Sequence, residues 1–463
     1  MRERAPKILR GPVPRNKEDD QVVYIDSDSA PRILFSGEDL LLEQLDANGV
    51  DDVHIIIANC LHRKMTEAEM KRMVGKKIHD AFYPVRYYCH DVEDPDGLVS
   101  LGRTEHNEVV NINRRAVESD LVIYVNINFV PMDGGHKSVT IGLCDYETTK
   151  VHHEPHTMRQ SAYMDPKQSM LNTKIVRQGQ LVDKHMNVFH IETALNNRMF
   201  AGPTAFLSKN EDELTEIDRL KFEAMRWTLS KMPPGAKRKL FHSVPAQYQL
   251  IAVNAGKTEL VHEKTIARNY EQYAVSVRGQ ADILICGVPF ISPYNVNSIL
   301  NPILVQTMGL GYFYNMFRGK PLLKKGGVMI LTHPCYDEFD HVQHPSYIEF
   351  FNRILPETRD AHVMHKKYEE EFAKNPSYIE MYRRGTAYHG VHPFNMWYWG
   401  EHGRQHIGKV IVAGAQNAHV PAMLGWDRAE SLTEALAMAK SFVGPSPEIT
   451  MMHHPPIVMA DME

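Results

Sequence analysis

The chain has 463 residues, of which 43% are hydrophobic and 24% charged, as in a globular protein of about two to three domains. A formal net charge of −5 and the lack of a long basic tract argue against nucleic-acid binding. No apolar run reaches the about 18 residues of a membrane span, and residues 1–20 resemble no secretion signal. With five scattered cysteines, the chain is expected to be cytoplasmic and not membrane-bound.

Along the chain, short apolar runs alternate with amphipathic stretches. Strands are predicted at 22–26, 53–59, 121–127, 281–288, 326–333 and 408–415. Their continuous Val, Ile and Leu content is typical of strands buried on both faces in parallel sheets. Helix starts are indicated by two capping-box patterns, Thr66 with Glu69 and Ser431 with Glu434. The fold class is therefore α/β, with two domains of mostly parallel sheets flanked by helices and an active-site cleft between them.

The domain organisation follows from this alternation. We expect an extended N-terminal arm over 1–20, an N-terminal α/β domain over 21–270 and a C-terminal α/β domain over 271–463. The last helix is expected to return to the first domain and pack against it. The polar segment 150–190 breaks the alternation and is predicted to be rich in loops.

A turn after the strand at 121–127 carries the most informative side chains. Gly134 and Gly135 accept positive φ and allow close approach of a ligand. Lys137 then offers an amine, and His152 and His153 offer imidazoles, the commonest metal ligands. One interpretation is a site for a tethered or metal-bearing cofactor. The other is a surface lysine beside a solvated histidine cluster.

Two further loops follow predicted strands. One contains His62 and Arg63, and the other contains Tyr294. Ligands of open parallel sheets bind at the carboxyl ends of the strands. These two loops and the double-glycine turn are therefore expected to line one cleft.

Three blocks in order carry a resemblance to a known family. They are IIIANCLHRKMTEAEMKRMVG, then YYCHDVEDPDGLVSLG with VVNINRRAVESDLVIYV, and then the double-glycine turn with Lys137 sixteen residues before His153. Over most of residues 20–330 the chain resembles nickel-dependent lactate racemase and its homologues, which act on 2-hydroxy acids.

The resemblance implies a nickel-pincer nucleotide, a pyridinium mononucleotide whose two sulfur-bearing arms hold nickel. Lys137 would bind it covalently beside Gly134 and Gly135, and His153 would be the fourth nickel ligand. His62, with Arg63 in the same loop, would be a catalytic acid/base that removes the substrate's hydroxyl proton while the α-hydrogen leaves as hydride. Imidazole suits both roles, as a ligand of nickel and as a group that titrates near neutral pH.

The family's second catalytic histidine has no counterpart here. In the family it follows a proline ahead of the double-glycine turn, and here Met132 stands at that place. His136, in the turn itself, is the candidate to replace it, with His152 and His156 as others.

The substrate-handling part also differs. The family's carboxylate-binding glutamine and lysine correspond to Leu300 and Ile303, so a lactate-like anchor is missing. Tyr294, Asn295 and Asn297 are candidate substrate residues, since amides suit hydroxyl-rich molecules. The asparagines could equally cap turns.

Near the first strand, Asp28 and Arg32 are candidates to bind the cofactor or the substrate, although their spacing differs from that of the family. The expected function is a racemase or epimerase of a 2-hydroxy acid other than lactate, with cofactor-synthesis enzymes as partners. The alternative is a cofactor-binding paralogue without racemase activity, for other hydroxyl redox chemistry or cofactor storage. A nicotinamide-dependent dehydrogenase is disfavoured, because no G-x-G-x-x-G follows the first strand.

Overall fold

The structure is a computed structural model that describes residues 21–27, 38–196, 200, 202–209, 211–243, 248–296, 298–452 and 458–462. The arm predicted over 1–20 and the candidate residues Asp28, Arg32 and Asn297 lie outside the described residues.

Strands and helices alternate along most of the chain. The strands are β1 (Gln21–Ser27), β2 (Asp52–Ala58), β3 (Tyr87–Cys89), β4 (Leu98–Arg103), β5 (Val109–Asn113), β6 (Leu121–Asn128), β7 (Val188–Leu195), β8 (Leu250–Gly256), β9 (Ala274–Val277), β10 (Ala281–Gly287), β11 (Phe317–Arg318), β12 (Leu323–Thr332), β13 (Lys409–Ala413), β14 (Asp427–Ala429), β15 (Ile449–Met452) and β16 (Met459–Met462).

The α-helices are α1 (Glu38–Ala47), α2 (Glu67–Phe82), α3 (Arg114–Glu118), α4 (His136–Gly142), α5 (Tyr146–His153), α6 (Pro155–Arg159), α7 (Met170–Val182), α8 (Glu216–Lys231), α9 (Pro234–Ser243), α10 (Thr258–Tyr273), α11 (Pro302–Gln306), α12 (Pro345–Glu349), α13 (Ala361–Lys367), α14 (Glu369–Ala373), α15 (Pro376–Arg384), α16 (His392–Tyr398), α17 (Glu401–His406), α18 (His419–Leu424) and α19 (Leu432–Val443). Two π-helical stretches cover Thr307–Phe313 and Phe350–Ile354.

Two sheets organise the molecule. The N-terminal sheet has the order β3-β2-β1-β6-β7-β8 and is parallel except for the β7–β8 pair. The C-terminal sheet has the order β14-β13-β12-β10-β15 and is parallel throughout. The predicted α/β class with mostly parallel sheets flanked by helices is confirmed, and each predicted strand overlaps an observed one.

Local signals set the helix starts. At α2, Thr66 accepts the Glu69 amide and Glu69 accepts the Thr66 amide, which is the predicted capping box. At α19, Ser431 accepts the amide of Glu434. The prediction of a loop-rich segment at 150–190 is wrong, because α5, α6 and α7 occupy most of it.

The last helix does not return to the first domain. Ala435 and Ala439 of α19 pack with Ile283 and Val328 of the C-terminal sheet, so that expectation is wrong. The C-terminal strand β16 instead pairs with β9 and β11. The boundary predicted between 270 and 271 stays a prediction. Among the described helices, none combines the length and apolar character needed to cross a membrane.

Candidate functional site

The loop after β2 positions His62. Cys60 has a φ of 43°, a left-handed conformation that turns the chain sharply at the end of the strand. The turn is supported by the Tyr382 hydroxyl, which donates to the Cys60 carbonyl over 2.8 Å. The half-buried His62 ring thereby lies 5.5 Å from the Tyr294 ring and 5.2 Å from the His392 ring. His62 thus lies where the loop after β2 meets the loop after β10.

Arg63 is held by the next helix. Its guanidinium donates to both carboxylate oxygens of Glu69, over 2.9 and 2.7 Å. Burial would raise the pKa of Glu69, but the hydrogen bonds from Arg63 and Thr66 and the charge of Arg63 together outweigh burial and lower that pKa to about 2. These contacts fasten the His62 loop to α2. A catalytic role for Arg63 stays a prediction.

The double-glycine turn is shaped by protein side chains. Gly134 and Gly135 have φ values of 82° and 57°. A Cβ on Gly134 would lie 2.5 Å from Glu192 Oε1, and one on Gly135 would lie 2.6 Å from His262 Cδ2. The Gly135 amide donates to the buried Glu192 carboxylate over 2.5 Å. Glycine is therefore required here because β7 and α10 press against the turn.

Lys137 lies in the first turn of α4. Its Nζ donates to Asp133 Oδ1 over 3.0 Å, and its side chain is 20% exposed. A carboxylate four residues back thus keeps the amine at the turn while leaving it partly accessible.

His153 ends α5 and is buried. Burial, reinforced by the charge of Lys137 and to a smaller extent by that of His62, lowers the pKa of His153 to about 3. The imidazole is therefore neutral at pH 7, the form that binds metals. The alternative of a solvated histidine cluster is wrong for His152 and His153, which are both buried, whereas His156 is exposed.

The C-terminal domain contributes an aromatic wall to this site. Trp399 meets His153 edge-on at 5.8 Å and stacks on Tyr312 at 5.7 Å. The Tyr312 hydroxyl lies 2.5 Å from that of Tyr294, whose ring contacts His62. Trp399 thus lies between His153 and Tyr312, whereas Trp397 is fully buried and donates to the Arg359 carbonyl.

His392 and Tyr388 complete this wall. The His392 ring lies 4.5 Å from that of Tyr388 and 5.5 Å from that of Tyr294. Sequence reasoning missed both residues, because nothing in their spacing to His62 marks them. The one available signal was the density of His, Trp and Tyr between residues 388 and 402.

Asn295 organises its own loop. Its Oδ1 accepts the amide and hydroxyl of Ser292 over 2.6 and 2.8 Å, and its Nδ2 donates to the Phe290 carbonyl. These bonds match the turn-capping alternative and leave Tyr294 as the loop residue at the cleft. Substrate contact by either residue stays a prediction.

His136 faces α7. Its Nε2 lies 2.8 Å from Asp183 Oδ2, and a Cβ on Gly179 would fall 2.2 Å from its Cγ. These contacts are with a neighbouring helix and not with His62 or His153. They support a packing role, and the catalytic role proposed for His136 stays a prediction.

Residues 16–165 match the family described as the lactate racemase N-terminal domain. This segment contains the His62 loop, the double-glycine turn and His153. This part of the chain is therefore similar to a lactate racemase N-terminal domain.

The whole fold is similar to that of known structures. The lactate racemase apoprotein from Thermoanaerobacterium thermosaccharolyticum is 18% identical and superposes with a TM-score of 0.66, over 99% of this chain and 92% of that one. A structural-genomics protein from Thermotoga maritima is 13% identical, with a TM-score of 0.55 over 100% of this chain and 98% of that one. No curated protein matches the chain. The resemblance read from the sequence is confirmed, as that of a divergent relative of lactate racemase.

Proposed function

We propose that the protein is a racemase or epimerase of 2-hydroxy acids that carries a nickel-pincer nucleotide on Lys137, with His153 as the nickel ligand. The supporting observation is geometric: His153 is joined to His62 through contacts of Trp399, Tyr312 and Tyr294. Lys137 and His62 follow β6 and β2, two strands of one parallel sheet. Lys137, His153 and His62 lie in the part of the chain that is similar to a lactate racemase N-terminal domain.

The residues present fit this cofactor. The described residues contain no group of three His, Cys, Asp or Glu side chains able to hold a metal. A metal that arrives with its own sulfur and carbon donors needs only one protein ligand, and a neutral buried imidazole suits nickel. The Trp399 indole N–H is also buried without a partner among the described residues, so it is available to a ligand beside His153.

When bound, this cofactor supplies an acceptor for the hydrogen on the hydroxyl-bearing carbon. His62 would take the proton of the hydroxyl as that hydrogen leaves. The aromatic wall of Tyr294, Tyr312 and Trp399 would exclude water from the reacting carbon. The Asp133 carboxylate would hold the Lys137 amine until the cofactor is attached.

The substrate is proposed to differ from lactate. Leu300 and Ile303, the positions of the family's carboxylate anchor, are buried apolar core residues with 1% and 0% exposure. We also propose that cofactor-synthesis enzymes are partners and that the protein is cytoplasmic.

Loading is tested first. The chain is co-expressed with cofactor-synthesis enzymes and analysed by intact mass and metal content, with peptide mapping of Lys137. We expect a covalent adduct on Lys137 and about one nickel per chain. Absence of both would overturn the proposal.

The reaction is tested second. The loaded protein is incubated in D₂O with single enantiomers of a panel of 2-hydroxy acids and aldonates. We expect the opposite epimer with its α-protium retained, because hydride transfer does not exchange with solvent. Deuterium at the α-carbon would contradict hydride transfer. A keto acid without the opposite epimer would indicate the non-racemising alternative.

A further inference from the structure

The proposed racemisation requires a second acid–base group, because the hydroxyls of the two enantiomers point in different directions from the same carbon. Met132 stands where the family has its histidine, and its thioether cannot transfer protons at neutral pH. The question is which other side chain in the cleft can do so.

The three histidines suggested by the sequence have other surroundings. His136 is bound by Asp183. His152 is fully buried, with its Nδ1 2.8 Å from Nδ1 of His153. His156 is exposed and contacts the Gln160 amide nitrogen over 2.9 Å. None of these contacts brings a ring next to His62.

His392 has the surroundings that such a group needs. It is 1% exposed, and its Nδ1 lies 2.5 Å from the Tyr347 hydroxyl. Its Nε2 is buried and has no hydrogen-bond partner among the described residues. Buried polar atoms are nearly always paired, so this nitrogen can take a hydrogen bond from a ligand if the ring lies next to the reacting groups.

The position of His392 matches this interpretation. It begins α16, in the C-terminal wall, whereas His62 belongs to the N-terminal wall. The two rings are 5.2 Å apart and nearly perpendicular, at 85°, and both contact Tyr294. Burial, followed by the charge of His62, keeps the pKa of His392 well below its usual value, so the ring is neutral at pH 7.

Resting on the proposed function, we propose that His392, oriented by Tyr347, is the second acid–base group. The bound cofactor would supply the hydride acceptor and donor. The neutral His62 imidazole would accept the hydroxyl proton of one enantiomer, which leaves a keto acid. That proton would pass to the open Nε2 of His392, between the neighbouring rings or through solvent, and the resulting imidazolium would donate it to the carbonyl oxygen to give the other enantiomer. Both rings would end neutral, as they began.

The test compares His62→Gln and His392→Gln in the loaded enzyme, with His333→Gln as control. His333 is a similarly buried imidazole with an unpartnered Nε2, and its ring contacts are Phe290 and Tyr336. Keto acid is trapped as a hydrazone from each enantiomer separately. Each site variant is expected to lose interconversion by about 100-fold or more, while forming keto acid from one enantiomer only, with opposite preferences. The His333→Gln control should retain interconversion and should form keto acid from both enantiomers. If His392→Gln loses keto-acid formation equally from both enantiomers, the proposal is overturned.

Tyr347→Phe tests the positioning role. It is expected to lower kcat by about 10-fold with little change in KM and to shift the Nδ1 resonance of His392 in ring-¹⁵N NMR. An unchanged kcat together with an unchanged Nδ1 resonance would contradict the proposal that Tyr347 orients His392.

A final arm separates this inference from the proposed function. If no panel acid reacts with the wild-type enzyme, the proposed function fails. Oxalate is then titrated into ring-¹⁵N-histidine-labelled protein, with His392 assigned from His392→Gln. If the Nε2 signals of His62 and His392 both shift with oxalate concentration, His392 contacts the ligand and the inference is supported. If only the His62 signal shifts, the inference about His392 is overturned.

Discussion

The two walls of the cleft are built in different ways. The N-terminal wall is held by backbone geometry and charge: a double-glycine turn bound to Glu192 and a lysine paired with Asp133. The C-terminal wall is held by ring contacts among residues far apart in sequence, such as Tyr294, Tyr312 and Trp399. Side chains that pack through rings can be exchanged without refolding a turn. The N-terminal wall therefore tolerates fewer substitutions than the C-terminal wall.

Lys137→Met should have the largest effect, because the variant keeps the length of the side chain and removes the amine. We expect complete loss of the covalent adduct and of bound nickel, measured by intact mass and metal analysis. Lys150→Met on α5 is the control, since that amine lies over the Tyr146 ring, and it should load normally. If Lys137→Met still binds the cofactor and nickel, the N-terminal wall does not tether the cofactor through Lys137.

Gly135→Ala tests whether backbone geometry holds that wall. The residue has a φ of 57°, and its new Cβ would meet His262 at 2.6 Å. We expect a loss of about 2–4 kcal/mol in the free energy of unfolding, measured with urea. Gly235→Ala, which meets nothing within 4 Å, should be neutral or stabilising. Equal stability of the two variants would contradict the argument.

The Arg63–Glu69 pair predicts a pH dependence of stability. Its contacts lower the folded-state pKa of Glu69 from 4.5 to about 2, so the contribution is complete above pH 4.5 and disappears as pH falls towards 2. It amounts to at most about 3 kcal/mol. Urea unfolding of wild type and Glu69→Gln between pH 6 and pH 3 measures it. The difference between the two should shrink on acidification, and a constant difference would refute the prediction.

Gly179→Ala tests whether His136 belongs to the packing of the first wall. Alanine normally favours a helix, but here its Cβ would lie 2.2 Å from His136 Cγ. We expect a loss of about 1–3 kcal/mol in unfolding free energy. The double variant His136→Ala/Gly179→Ala should recover part of it, as measured in a double-mutant cycle. Additive effects would return His136 to the list of catalytic candidates.

Tyr312→Phe should have the smallest effect. It tests whether a change in the C-terminal wall leaves the N-terminal wall unaffected. It removes the hydroxyl 2.5 Å from that of Tyr294, a loss of about 1 kcal/mol. We expect kcat/KM for the best substrate to fall by about 5-fold, with nickel content unchanged. Loss of nickel would show that the two walls are not independent.

Much of the fold could be predicted from the sequence. Buried strands such as β2 and β6 are continuous apolar runs, and the capping boxes mark the starts of helices. The helices between 146 and 182 were missed for a physical reason. The α5 sequence YETTKVHH contains β-branched and histidine residues of low helix propensity. Its N-cap, Asp145, is a common residue in loops as well, and burial of Thr148, Thr149 and His153 stabilises the helix.

The sequence by itself determined the double-glycine turn and the spacing of Lys137 and His153, because these are local properties of one short segment. It also showed what is missing at Met132. Only the tertiary structure decided what faces that wall. His392 is separated from His62 by 330 positions, and their ring contact exists only because the start of α16 lies beside the loop that follows β2. The difference arises because local geometry is encoded residue by residue, whereas a contact between domains depends on how both complete folds pack.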